Sequence, residues 1–211
     1  MARAGRPRGF DRAAAVDSAM LLFWERGYER ASLDELRRAM GGGQALSSAS
    51  FYAAFGSKEA LYREALARYH ALHGGMLDML RDRAFAPRAR LERALRASVA
   101  VQADASHPLG CMLTLSAPFD AQAGGGAWAE AAHGRGVTRA ALRDCLQAGV
   151  EAGALTPDAD LQGLTALFDA FLLGVSIQVR DGVPPAAIEA GVGCALAAWD
   201  ACAIQPCAIR P

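Results

Sequence analysis

The chain has 211 residues, of which 53% are hydrophobic and 21% are charged, and this composition excludes an intrinsically disordered protein. The 22 cationic and 22 anionic side chains cancel overall, but residues 1–69 carry 11 cations against 8 anions and the remainder has the opposite excess. A basic first third on an acidic body suits contact with a polyanion at one end only.

Other common classes of protein are also disfavoured. The chain contains no run of 18 uncharged apolar residues, and its basic start leads into no apolar signal core, so we expect a cytoplasmic protein with no membrane contact. The five cysteines show no C-x-x-C spacing, which argues against a disulfide framework or a thiolate zinc site. Neither a metal nor another cofactor is predicted.

The first third predicts three short helices. Alanine is abundant and apolar residues recur at spacings of three and four, so the whole chain is expected to be all-α. The first helix is predicted from Asp11 to Arg26 and is followed by Gly27. Ser32 and Glu35 have the spacing of a capping box for a second helix, and a third is expected to start after Ser47 or Ser48 and to end near Phe55. Short connections between three such helices are typical of a helix-turn-helix domain.

The rest of the chain predicts a larger helical body. A fourth helix is expected from Ser57 to about Arg83. Further helices are predicted at about 88–103, 127–152, 158–180 and 184–202, with an apolar helical run at 111–117 and a loop at 118–126.

The third helix has the surface expected of a helix that enters a DNA groove. Opposite Phe51 and Phe55 it carries only small or hydroxylic side chains, which can approach base edges and phosphates without a clash: Ser47, Ser48, Ala49, Ser50 and Ala53. Tyr52 can offer its hydroxyl to a phosphate. Lys58, the only lysine of the chain, lies in the first turn of the fourth helix, where free backbone N–H groups also favour an anion.

Two further elements complete the predicted DNA-binding set. Arg6 and Arg8 belong to a basic arm that can follow the DNA backbone or reach the minor groove. Ser32, at the start of the second helix, is included because its hydroxyl stands at a helix N-terminus.

The spacing of these residues resembles the N-terminal domain of the TetR/AcrR family of transcriptional regulators, over about residues 10–66. The motifs that carry the resemblance are Gly27-Tyr28, Ser32, Gly41, Ser50-Phe51-Tyr52-Ala53-Ala54-Phe55 and Ser57-Lys58-Glu59-Ala60-Leu61. One departure stands out. Between Gly41 and Leu46 the chain inserts Gly42-Gly43-Gln44-Ala45, which lengthens the turn before the third helix by four residues relative to the family pattern.

The resemblance implies a fold and a function. The expected fold is an N-terminal three-helix helix-turn-helix DNA-binding domain at residues 1–56, joined to a larger helical ligand-binding and dimerisation domain at 57–211, with 57–83 as the connecting helix. The expected function is that of a homodimeric repressor, not an enzyme, that binds a palindromic double-stranded DNA operator and is released by a small-molecule effector.

The body offers candidates for the effector site and the dimer interface. The helix at 158–180 is apolar nearly all round, so a partner subunit is a natural cover for part of it. The expected interface residues are Leu164, Leu167, Phe171, Val192, Leu196 and Trp199. The candidate ligand-binding residues, chosen by residue type, are Cys111, Met112, Phe119, Trp128, His133 and Phe168.

Three alternatives to a ligand-responsive repressor remain open, of which a helical interaction protein leaves the basic arm and the small-residue face of the third helix unexplained. Cys111 is predicted in the first turn of a helix, where a thiol can have a lowered pKa, and this favours a regulator switched by an electrophile or an oxidant. A small helical enzyme with Cys111 as nucleophile and His107 or His133 as base is the alternative from another class. Against it, the chain has no glycine-rich phosphate loop and no G-x-S-x-G motif.

Overall fold

The protein is helical throughout the part that the computed structural model describes, which is residues 10–116 and 121–204, without the side chains of 121–124. Within these residues it forms ten helices and no named strand, which confirms the all-α prediction. They are α1 (Arg12–Arg26), α2 (Leu33–Met40), α3 (Ser48–Phe55), α4 (Lys58–His73), α5 (Gly75–Arg81), α6 (Pro87–Gln102), α7 (Met112–Leu115), α8 (Ala121–Glu151), α9 (Leu161–Arg180) and α10 (Pro185–Ala201).

The predicted caps of the first helices are present. The side chain of Asp11 accepts from the first amides of α1, and Gly27 ends that helix with a φ of 81°. Ser32 and Glu35 form the reciprocal capping box of α2. Ser47 caps α3 by accepting from the amide of Ser50. These local bonds set where each helix of the DNA-binding head, α1 to α3, begins, so their positions follow from the sequence.

The fourth helix is shorter than predicted. It ends at His73, and α5 starts anew at Gly75, so a single helix from 57 to 83 was wrong. Gly74 ends α4 with its amide donating to the carbonyl of His70, at φ −82° and ψ 5°. Two adjacent glycines disfavour helix continuation because each loses more backbone freedom than any other residue.

The start of the long body helix also differs from the prediction. α8 begins at Ala121, inside the stretch predicted as a loop, and is interrupted at Gly125, whose φ of 48° and ψ of −131° are not helical. The predicted loop was therefore wrong for residues 121–124, whereas the predicted break is present at Gly125; residues 117–120 lie outside the described part of the chain. Only glycine adopts this backbone conformation without a large steric cost.

Two hydrophobic cores organise the molecule. The first is formed by α1 to α4 together with Met112, Leu113 and Ala127. The second is formed by α5, α6, α8, α9 and α10. Because α4 contributes buried residues such as Tyr62 and Tyr69 to the first core, that core extends past residue 56, and the boundary there stays a prediction.

Candidate nucleic-acid interface and effector cavity

The exposed face of α3 is the candidate DNA-reading surface. Phe51 and Phe55 point into the first core, whereas the five small and hydroxylic residues proposed for DNA contact are all exposed, as is Tyr52. Ser47 is partly committed to local structure, since its hydroxyl donates to the Ser50 hydroxyl at 2.9 Å while accepting from the Ser50 amide at 3.0 Å. The face therefore presents short side chains and one aromatic hydroxyl, without a charge.

Lys58 stands beside this face in the first turn of α4, which Ser57 caps. Its Nζ lies 4.4 Å from the centroid of the Tyr28 ring, a cation–π contact. Burial lowers the pKa of Lys58, and the carboxylate of Glu29 acts in the opposite direction. The ammonium is thus partly dehydrated and held in place next to free N–H groups of a helix start, as an anion site requires.

The long turn before α3 is fixed at both ends. Gly42 and Gly43 have φ values of 58° and 119°, which favour glycine. The amide of Leu46 donates to the carbonyl of Arg37 at 3.0 Å, and Arg37 Nε donates back to the Leu46 carbonyl at 2.6 Å. Arg37 thereby positions the start of α3, a role that sequence reasoning missed although its place in the last turn of α2 hinted at a bond to nearby carbonyls.

For three of the proposed DNA-binding residues the structure shows no side chain that is free to contact DNA among the described residues. Ser32 is exposed, but its hydroxyl and amide are bonded to the Glu35 carboxylate within the capping box. Arg6 and Arg8 lie outside the described residues. Contact of these three residues with DNA stays a prediction.

A cavity of about 200 Å³ lies in the body beneath the head. Its wall comes from the end of α4 and from α5, α6, the start of α7 and the middle of α8. The polar lining groups belong to Tyr69, His70, His73, Ser98, Gln102, Cys111 and Thr138, and the remaining lining is mainly apolar. A small, largely apolar molecule with a few hydrogen-bonding groups fits such a wall.

Most of the ligand-binding residues predicted by type lie elsewhere. Cys111 lines the cavity. Met112 and Phe168 are fully buried in the first and second cores and are not among the lining residues. Trp128 and His133, on α8, are not among the lining residues, and Phe119 is outside the described part. Sequence reasoning missed the cavity because its wall combines four stretches far apart in the chain.

The thiol of Cys111 has a phenol as its neighbour. Tyr69 Oη donates to Cys111 Sγ at 3.4 Å. Burial, and next the proximity of Cys111, raise the pKa of Tyr69 well above its ordinary value, so the phenol stays protonated and can donate. Among the described residues, no imidazole hydrogen-bonds to this sulfur, and His133 is exposed on α8. The geometry thus lacks the thiol–imidazole pair that the enzyme alternative needs.

The proposed dimer residues divide into two groups. Leu164, Val192, Leu196 and Trp199 are buried in the second core of their own subunit, so their side chains offer no surface to a partner. Leu167 is 43% exposed, and Phe171 is partly exposed. Ile177, 51% exposed and ten residues further along α9, is another exposed apolar residue of this helix and was not predicted. By length and hydropathy α9 is the one described helix able to cross a membrane, yet its buried side lies in a globular core.

Comparison with known proteins agrees with the geometry of the head. The model of the family described as "Bacterial regulatory proteins, tetR family" matches residues 15–65. A solved structure of the TetR family transcriptional regulator CifR, a cysteine mutant in complex with 26-base-pair double-strand operator DNA, is 38% identical in sequence. It superposes with a TM-score of 0.84 over 92% of this chain and 100% of that chain.

Two curated proteins of Escherichia coli K12 are also similar. The HTH-type transcriptional repressor ComR is 29% identical over 203 residues, which cover 92% of this chain and 91% of that protein. The HTH-type transcriptional repressor BdcR is 35% identical over 79 residues, 37% of this chain and 38% of that protein. The likeness to CifR and ComR therefore includes the body as well as the head.

Proposed function

The chain belongs to the TetR family of bacterial transcriptional regulators, and we propose that it is a homodimeric repressor that binds a palindromic operator and is released by a small molecule. The single observation that carries the DNA-binding half of the proposal is the face of α3, where every side chain that points away from the core is short or hydroxylic. CifR, which shares the fold at 38% identity, is itself bound to operator DNA. A cytoplasmic location follows from this function, because the operator is there.

The head supplies both kinds of contact that operator binding needs. Ser48, Ala49 and Ser50 lie on the exposed first turn of α3 and are proposed to meet base edges. Tyr52 and Lys58 are proposed to hold phosphates on either side, and thereby to fix the register without reading sequence. The turn at 42–45 places an exposed Gln44 next to this face, as an additional proposed backbone contact.

The body supplies an effector site. The cavity is enclosed by the C-terminal end of α4, and the N-terminal turn of the same helix carries Lys58. An effector that binds better to a displaced α4 would therefore shift the two heads away from the operator. A hundredfold loss of operator affinity requires about 2.7 kcal/mol of differential effector binding.

We propose a dimer face on the outer sides of α9 and α10. On α9 it contains Leu167, Phe171 and Ile177. On α10 the exposed residues include Gly193 and Ala197, whose small size permits close approach of a partner helix. A two-fold dimer of this kind presents two heads to two half-sites of a palindrome.

Binding to DNA from the protein's own upstream intergenic region tests the proposal. Fluorescence anisotropy with wild type and Tyr52→Phe, at two salt concentrations and with unrelated DNA as competitor, is expected to show specific binding that weakens with salt and with the substitution. Should the intergenic DNA bind no better than competitor, a selection from genomic fragments would follow. Failure to enrich any sequence would contradict the repressor.

A regulator switched by chemistry at Cys111 is the second candidate. The observation that favours it is the position of this partly exposed thiol in the cavity wall. In that case Cys111→Ser is expected to abolish release from the operator by an electrophile or an oxidant. Unchanged release in the variant would leave reversible binding as the mode of induction.

A further inference from the structure

Trp24, in the last turn of α1, joins the DNA-binding head to the wall of the cavity. Its side chain is fully buried. The indole ring lies edge-on to Tyr69 at 4.8 Å and to His73 at 5.0 Å between ring centroids, and both of these residues line the cavity. The indole also stacks on His107 at 4.4 Å between ring centroids, and His107 in turn lies 4.7 Å from His73. One side chain of the head therefore contacts two separate elements of the body.

Polar contacts fix the same residue to the segment between α6 and α7. Trp24 Nε1 donates to the carbonyl of Gly110 at 3.1 Å, and Gly110 precedes the cavity residue Cys111. Arg180 Nη2, from the end of α9, donates to the carbonyl of Trp24 at 2.8 Å, while its Nε donates to Leu109 at 3.2 Å. The head, the α6–α7 segment and α9 are thus bonded to one another around this indole.

Hydrogen bonds also connect the segment between α6 and α7 to residues that line the cavity. The amide of Cys111 donates to the hydroxyl of Ser176 at 3.3 Å, and that hydroxyl donates to the side chain of Gln102 at 2.6 Å. Gln102 and Cys111 both line the cavity. A molecule that enters the cavity and separates α4 from this segment therefore acts on both surfaces that hold the indole.

We propose that Trp24 is the positioning residue through which occupancy of the cavity changes the placement of the DNA-binding head. The inference rests on the proposed function and adds to it the route of regulation. Coupling requires an element whose arrangement both sites bias, and the indole is shared by the head and by the cavity wall. Phe23, the preceding residue, makes a useful contrast, since it is equally buried but packs on Tyr28 and Tyr62, which do not line the cavity.

A covalent occupant makes the test independent of the natural effector. N-Ethylmaleimide adds to the Cys111 thiol: the sulfur forms a bond to one alkene carbon, the thiol proton ends on the other, and nothing is oxidised. Cys194, Cys202 and Cys207 are replaced by serine to confine the label. Cys145 is buried with its thiol donating to the carbonyl of Pro87. Mass spectrometry then establishes that a single label is present at Cys111.

The measured quantity is the ratio of operator Kd values for labelled and unlabelled protein. In the serine background we expect a ratio between about 5 and 150, the usual range of allosteric coupling. In Trp24→Phe the ratio is expected to fall close to 1 at unchanged label stoichiometry, whatever the operator affinity of the unlabelled variant. Phe23→Leu, the matched core control, is expected to keep the full ratio although it also loses packing.

A second variant guards against misfolding of Trp24→Phe. His107→Ala removes one stacking partner of the indole from a partly exposed position, and is expected to lower the ratio without unfolding the protein. The inference would be overturned if both variants kept the Kd ratio of the background protein, or if the label left the operator affinity of the background protein unchanged. In either case the repressor proposal would stand. Failure of unlabelled wild type to bind any operator would remove both.

Discussion

Lys58 is partly buried against Tyr28 and is proposed to contact a DNA phosphate. Its ammonium rests on the Tyr28 ring at 4.4 Å, and burial lowers its pKa although Glu29 opposes the shift. A lysine held in this way loses less side-chain entropy on meeting a phosphate than a free surface lysine, which must be ordered first. Its geometry therefore suits a contact that positions the head on any sequence.

Replacement of Lys58 by alanine tests this reading. Loss of one phosphate contact is expected to weaken binding about equally for operator and unrelated DNA, and to reduce the slope of log K against log salt by about 1. Arg143→Ala, which removes an exposed cation from α8, is the control and is expected to leave the slope unchanged. An unchanged slope for Lys58→Ala would show that the ammonium serves only to pack on Tyr28.

Two histidines of the cavity wall are expected to make stability depend on pH. Burial lowers the pKa of His70, and burial followed by the proximity of His107 lowers that of His73, with Asp104 opposing. The unfolded chain therefore binds protons more readily than the native protein, and stability is lost as pH falls below the ordinary histidine value of about 6.5.

The midpoint temperature of thermal unfolding is therefore expected to decrease when the pH is lowered from 7.5 to 5.5. In a His70→Gln/His73→Gln double variant the fall should be smaller, since these groups no longer take up protons on unfolding. His133→Gln, at an exposed site on α8, is the matched control. An identical fall in the double variant and in wild type would assign the effect to other groups.

At the scale of elements, the turn between α2 and α3 decides how the reading face is presented. A Cβ at Gly41 would lie 1.7 Å from the carbonyl oxygen of Gln44, a clash with backbone that a rotamer change cannot relieve. A Cβ at Gly43 would meet nothing within 4 Å, so its only cost is the strain of a φ of 119°. Glycine is therefore required at position 41 because a side chain would clash, and at position 43 because the backbone has a positive φ.

Gly41→Ala is expected to destabilise the protein by about 1–3 kcal/mol, as overpacking does, and to weaken operator binding because α3 must shift. Gly43→Ala is also expected to cost stability, through backbone strain, but with less effect on binding. Chemical denaturation and anisotropy measure both quantities. Equal loss of operator binding by the two variants, at matched stability, would mean that the turn itself contacts DNA.

Sequence reasoning succeeded for elements whose limits are set by local bonds. The caps at Ser32 and Ser47 and the stop at Gly27 depend on residues within four positions, so a pattern suffices to find them. It failed at Gly74, where a helix was predicted to continue, and at residues 121–124, where a loop was predicted, because a glycine interrupts a helix only where the tertiary packing accepts the break. The cavity was equally inaccessible, since Tyr69, Gln102 and Cys111 meet only in the folded chain.

At the scale of the whole molecule, the exposed apolar side of α9 supports the proposed dimer. Its inner side, with Phe168 and Val175, is fully buried in the second core. Its outer side leaves Leu167 and Ile177 43% and 51% exposed, although the helix is apolar along most of its length. Burial of apolar surface contributes roughly 25 cal/mol per Å², so a two-fold pairing along α9 and α10 gains free energy from residues that the single subunit cannot cover.

Leu167→Glu is expected to convert the dimer into monomers, because pairing would bury two carboxylates in an apolar interface. Multi-angle light scattering after size exclusion measures the mass, and Leu21→Glu, a leucine 41% exposed on α1, is the matched control that should stay dimeric. A monomer reaches one half-site only, so operator affinity should fall by more than the twofold expected from losing one site of two. A dimeric Leu167→Glu variant would place the interface on another face of the body, and the separation of the two heads would then have to be derived from that face.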